Sequence, residues 1–110
     1  MGQQVTQKSI GTVTVDAGSS SIGPWLVDTS PSYDVQVWVR NTGADSVTLQ
    51  PVGYSIGGIG PVNVGTTTKT VAAGAKDYFE FTANTAPAQI GFTTTSTAGT
   101  TVVVEINARG

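Results

Sequence analysis

Chemistry in this chain falls to the carboxylates, because neither histidine nor cysteine occurs in its 110 residues. Losing histidine removes the commonest general base and every Ser-His or Cys-His arrangement. Zinc and other transition metals lose both of their preferred ligand types at once. Two acids suffice to hydrolyse a glycosidic bond, and Asp77, Glu80 and Glu105 are the candidates. Period-two alternation turns Glu80 and Glu105 outward, where a solvated carboxylate is poorly suited to act as a protonated general acid. Asp16, Asp28, Asp34 and Asp45 each fall at an expected strand end, where loop oxygens could hold calcium. No spaced acidic loop accompanies them, and Asp side chains that bond their own backbone at turns explain the same positions. The Gly-rich run "GGIGPVNVG", residues 57–65, lacks a following helix and the Lys-Ser/Thr of a phosphate loop, so it reads as a structural loop. No catalytic residue, cofactor or metal is expected.

Recognition offers more than catalysis. In "DVQVWVRN", residues 34–41, alternation places Gln36, Trp38 and Arg40 on one face and Val35, Val37 and Val39 on the other. Tyr78 shares an outward face with Glu80 in "KDYFEF". Three readings of the aromatic pair stay open. Trp38 packs under a loop or against Arg40 through a cation–π contact; it forms part of a protein contact, where Trp, Tyr and Arg are enriched; or it stacks on a sugar ring. Gln3, Gln4 and Val5, in a polar and unpatterned N-terminal stretch, are further partner-binding candidates.

Five basic and seven acidic residues give a formal charge of -2. Lys8, Arg40, Lys69, Lys76 and Arg109 are scattered, without the basic stripe that counterion release from nucleic acid requires. The first residues lack the basic and apolar regions of an export signal, and no apolar run approaches the length of a membrane span, so a soluble protein made without export is expected. Met1–Thr6 formally fits a myristoylation pattern, but one acyl chain without a basic cluster anchors weakly, and a chance match is the simpler reading.

The elements that carry these side chains are strands. Apolar residues alternate at period two in runs broken by Gly, Pro, Asn, Asp and Ser at intervals of roughly eight to twelve residues. Helical spacing never persists. The inward faces read as Val35, Val37 and Val39, then Phe79 and Phe81, then Ile90 and Phe92, then Val102, Val104 and Ile106. Strands with one apolar face need a second sheet to cover it. The expected fold is all-β: a single antiparallel β-sandwich of about seven to nine short strands, with immunoglobulin-like and jelly-roll topologies both open. Residues 10–110 are expected to form that domain, and residues 1–9 an arm that is disordered alone or ordered by a neighbour. Charged residues are only 11% of the chain, which suits short strands and tight turns, or a surface partly covered by neighbours.

The order "VRNTG", "SVTLQPVGYS", a Gly-rich loop, "TVAAGAKDYFEF" and "STAGTTVVVEINARG" resembles small β-sandwich structural proteins of tailed-bacteriophage virions, the head decoration and fibre-type accessory proteins. The resemblance covers roughly residues 34 to 110, and it lies in turn phrasing and strand texture. It implies a non-enzymatic virion component, assembled in the host cytoplasm and attached through an arm or one sandwich face to a repeated capsid or tail lattice. A homo-oligomer is expected, a trimer favoured, because several weak contacts gain by effective concentration. A carbohydrate-binding or host-attachment module using the exposed aromatics is the rival reading, with a glycan as partner. A bacterial surface or appendage module is a third.

Overall fold

The computed structural model describes residues 5–27, 34–65, 67–81 and 87–109, with side chains from Ser9 to Ala108. Nine strands run through these residues: β1 (Val5–Val15), β2 (Gly18–Leu26), β3 (Asp34–Asn41), β4 (Val47–Tyr54), β5 (Val62–Asn63), β6 (Lys69–Val71), β7 (Lys76–Phe81), β8 (Gln89–Ser96) and β9 (Thr100–Arg109). They form a four-stranded sheet in the order β1-β9-β3-β7 and a five-stranded sheet in the order β2-β8-β4-β5, with β6 also on β4. All pairs are antiparallel. The molecule is a β-sandwich.

Its connectivity resolves the two topologies left open. β1 pairs β9, β2 pairs β8, β3 pairs β7 and β4 pairs β6, and these nested pairs alternate between the sheets. One long antiparallel ribbon, doubled at β4–β6 and wrapped on itself, gives this order, which is that of a jelly roll. The immunoglobulin-like alternative is corrected, since that fold groups its strands as ABED and CFG, without a nested set of pairs. Alternation could not have made the choice, because it encodes which face a residue takes and not which strand lies beside it.

The core lies between the sheets. Val35, Val37 and Val39, Phe79 and Phe81, and Val102, Val104 and Ile106 are buried from the four-stranded side, as their alternation predicts. Val47, Leu49, Ile90 and Phe92 are buried from the other. Each such side chain contributes about 1.5–3 kcal/mol by leaving water. Phe92 sits at the centre of the aromatic packing, its ring 5.0 Å from Phe79 and 6.4 Å from Trp25.

The N-terminal stretch expected as an arm differs in its second half. Val5–Ser9 belongs to β1, with Val5 opposite Arg109 and Ser9 opposite Glu105. A ladder needs only backbone donors and acceptors, so a polar edge strand can form without an apolar period. A bulge follows between Ser9 and Gly11, where Gly11 takes φ 89°, a conformation that L side chains resist. Gln3 and Gln4 lie outside the described residues, as does Asp28.

The turns at one end of the sandwich converge on Asn41, which is fully buried at the end of β3. Its Nδ2 donates to the carbonyls of Asp45 (2.7 Å) and Val71 (3.0 Å), and its Oδ1 accepts from the Gly43 amide (3.1 Å) and the Thr100 hydroxyl (2.8 Å). All four hydrogen-bonding sites of the amide are thus used. Beside it, Asp45 Oδ2 accepts from the Ala98 amide at 2.8 Å and the Ser96 hydroxyl at 2.9 Å. This is the turn-capping role, here across to the β8–β9 connection.

Those bonds, the Ala98 amide foremost and the Ser96 hydroxyl next, hold the Asp45 carboxyl below the usual aspartate range. A depressed folded-state pKa gives a stabilisation that is complete above the unfolded value of about 4 and lost as pH falls through the folded value. Thermal unfolding between neutral and acid pH is therefore expected to show a melting temperature that drops below about pH 4, with a smaller drop in Asp45→Asn.

Candidate assembly interface

The four-stranded sheet turns its outer face to solvent, and register arranges that face in rows. Arg40 on β3 stands opposite Lys76 on β7 and Val103 on β9. The next row holds Trp38, Tyr78 and Glu105, with Ser9 of β1 beyond. The third holds Gln36, Glu80 and Asn107. Gln36, Trp38, Arg40 and Tyr78, chosen by alternation alone, are brought into one contiguous patch. Val5 lies at the opposite edge of the same sheet, paired to Arg109.

Trp38 is half-buried on this face, and its neighbour on β7 accounts for that burial. The indole and the Tyr78 ring stack at 4.5 Å with an interplanar angle of 21°. The Trp38 Nε1–H donates to Gln36 Oε1 at 3.0 Å, and Gln36 Nε2 donates to Glu80 Oε2 at 3.2 Å. An aromatic cross-strand pair of this kind contributes about 0.5–1.5 kcal/mol beyond its buried area. The cation near these rings is Lys69, whose Nζ lies 5.3 Å from the centroids of both Tyr78 and Phe79. Sequence gave no signal for Lys69, since β6 belongs to the other sheet and only the fold brings it over β7.

Lys69 also closes the sandwich at this side. Its Nζ donates to Asp77 Oδ1 at 3.3 Å and to the Tyr78 carbonyl at 2.6 Å, while Asp77 Oδ1 accepts from the Tyr78 amide at 2.8 Å. β7 is the last strand of its sheet, so an unpaired backbone there would template another strand. Here both backbone groups of Tyr78 are held by side chains. Below Lys69 is a cleft of about 410 Å³ lined by Pro51, Val64, Thr67, Glu80 and the two phenylalanines Phe79 and Phe81.

The acids do not form a catalytic pair. Glu80 is on β7 and Glu105 on β9, two strand spacings or about 9.6 Å apart across the sheet and one row out of step. Trp38, on the intervening strand, stands between them. A glycosidase pair sits about 5–9.5 Å apart with open space for the sugar. Asn107 Nδ2 donates to Glu105 Oε2 at 3.1 Å, and Glu80 is engaged by Gln36. Asp77 serves the Lys69 bridge.

The Gly-rich stretch after β4 opens with a hydrogen-bonded turn over residues 55–59. The Ser55 amide donates to the Ile59 carbonyl (2.9 Å), the Gly58 amide to the Ser55 carbonyl (3.0 Å), and the Ile59 amide to Ser55 Oγ (2.9 Å). This turn presents Ile56 and Ile59 to solvent, 79% and 80% exposed.

No protein-family model and no curated protein matches the sequence. The fold is similar to solved structures. One is a protein from work on Bacillus endospore appendages, described as a family of disulfide-linked pili; it is 22% identical, with a TM-score of 0.56 over 99% of this chain and 89% of that one. Another is the SPBc2 prophage-derived protein YomS, 10% identical, with a TM-score of 0.62 over all of this chain and 96% of that one. Both likenesses are of fold.

Proposed function

We propose that this protein is a non-enzymatic structural component of a virion, a capsid decoration or accessory protein that binds a repeated protein lattice. The observation that carries this reading is the ordered outer face of the four-stranded sheet, where Gln36, Trp38 and Arg40 on β3 stand against Glu80, Tyr78 and Lys76 on β7. Aromatic rings with a cation and amides, held rigid on adjacent strands, have the composition of a protein contact. The fold it shares with a prophage-derived protein supports the same reading. Gln3, Gln4 and Val5 supply a second contact to the lattice. In this reading the protein assembles in the host cytoplasm, resides in the particle, and has protein rather than nucleic acid or membrane as its partner.

The sugar platform is the weaker alternative for a geometric reason. Trp38 and Tyr78 each spend one ring face on the other. A sugar ring needs an open aromatic face laid flat toward it.

Particles assembled without this protein, mixed with it and pelleted, test the reading. Wild-type protein is expected to co-sediment, and Trp38→Ala to reduce the affinity at least about tenfold. That variant should lose about 2–3 kcal/mol of stability, the stack together with the area that the half-buried indole covers, and still fold. Failure of the wild type to bind the particle, together with a glycan-array signal lost in Trp38→Ala, would overturn the structural role in favour of sugar binding.

A further inference from the structure

Arg40 and Lys76 stand directly opposite one another across β3 and β7, and neither makes an ion pair among the described residues. Like charges so placed repel. Two residues along each strand in the other direction from the Trp38–Tyr78 row lie Gln36 and Glu80. The patch therefore has a cationic end, an aromatic middle and an acidic end, with Glu105 beside the middle on β9. Its two cations and two carboxylates balance.

We infer that this face is built for a second copy of itself, packed about a two-fold axis that lies along the Trp38–Tyr78 row. The inference rests on the reading above that this face is an assembly surface, and it names the occupant. Turning one copy over about that axis exchanges the two ends. Lys76 of each copy then lands on Glu80 of the other, and Arg40 on Gln36, within reach of the carboxylates. Glu105, in the same row on β9, also meets its own counterpart on the axis, and the two carboxylates are offset there by the Arg40 guanidinium groups one row to either side. Trp38 and Tyr78 meet their own counterparts at the centre, where anchor residues of an interface belong. An isologous contact requires this exchange, residue i on j and j on i.

Twisted sheets packed face to face cross at about −30°, and a crossing centred on β3 and β7, where the patch lies, keeps those strands of each copy in contact and lets the β1 side diverge. Four strands spaced about 4.8 Å apart and about eight residues long offer roughly 500 Å² in plan. That is below the roughly 800 Å² per partner of a standard interface. The dimer is accordingly of micromolar strength, and avidity on a lattice makes up the rest, since each dimer carries two of every other contact. A two-fold contact on this face gives a dimer in place of the trimer expected on avidity alone.

Sedimentation equilibrium of the full chain and of two charge reversals tests the inference. Wild type is expected to dimerise across the micromolar range. Lys76→Glu and Glu80→Lys should each weaken the dimer at least about tenfold, because each places two like-charged pairs across the axis. Mixed in equal amounts, the two variants should recover the wild-type affinity, since the mixed dimer restores both opposite-charge pairs. Cooperative thermal unfolding of both variants confirms that they fold. A wild type that stays monomeric, a trimer, or a mixture no tighter than the variants alone overturns the two-fold contact. Particle binding measured in parallel separates the two readings. Lattice binding without dimers overturns only the inference, and dimers without lattice binding overturn only the structural role in a virion.

Discussion

Replacing Asn41 with alanine is expected to lower stability by about 3–4 kcal/mol, among the largest effects available outside the apolar core. The amide is fully buried and makes four hydrogen bonds, so its loss takes a partner from the Val71 and Asp45 carbonyls and the Thr100 hydroxyl together, while the Gly43 amide keeps its bond to the Thr101 carbonyl. A buried group left unpaired costs about 1–3 kcal/mol, and water entering the vacated volume recovers part of the sum. Urea unfolding should show the full drop with an unchanged slope, and the melting temperature should fall by roughly 12–25 °C. Thr100→Val, which removes one of the two donors to the Asn41 oxygen and leaves the Gly43 amide in place, should cost about 1 kcal/mol. Equal losses for the two variants would show that Asn41 is not the hub of the turns.

Phe92→Ala should cost about 3–5 kcal/mol. Phe92 is completely buried on β8 and bridges the aromatic side chains of both sheets, through Phe79 on β7 and Trp25 on β2. Removing it leaves a cavity that neither sheet can close, because each strand is held by ladder bonds to its neighbours. Phe92→Leu should cost less than half as much. A double-mutant cycle with Phe79→Leu is expected to show about 0.5–1.5 kcal/mol of coupling, the part due to ring geometry and not to area. Zero coupling would mean that the rings act only as volume.

These two residues mark what was legible in the sequence. Phe92 announces itself, since a phenylalanine two residues from Ile90 in an alternating run can only face the core. The same logic located Val35, Val37 and Val39, and it set Gln36, Trp38 and Arg40 outward. Asn41 was hidden. "NTG" reads as an ordinary turn, and nothing local shows that its amide meets Val71 and Thr100, thirty and fifty-nine residues on. The proposed interface was legible only in its residues. Alternation gave the residues on each strand, but Lys76 enters the patch only because β7 lies in register beside β3, and Lys69 only because the second sheet brings it there. Side chains report the face of their own strand, whereas partners depend on how the ribbon wraps.

That wrapping also bears on how the chain can find this structure. β1 must pair with β9 across nearly the whole length of the chain, an arrangement whose many distant contacts belong with folding times of milliseconds to seconds. Nesting eases the search. Once β4 holds β6, only the connections 42–46 and 72–75 separate β3 from β7, so the next closure is short, and a short loop loses little entropy. Each pair prepares the one outside it. By this order β1 and β9 come together last, onto a scaffold that the middle of the sequence has already made.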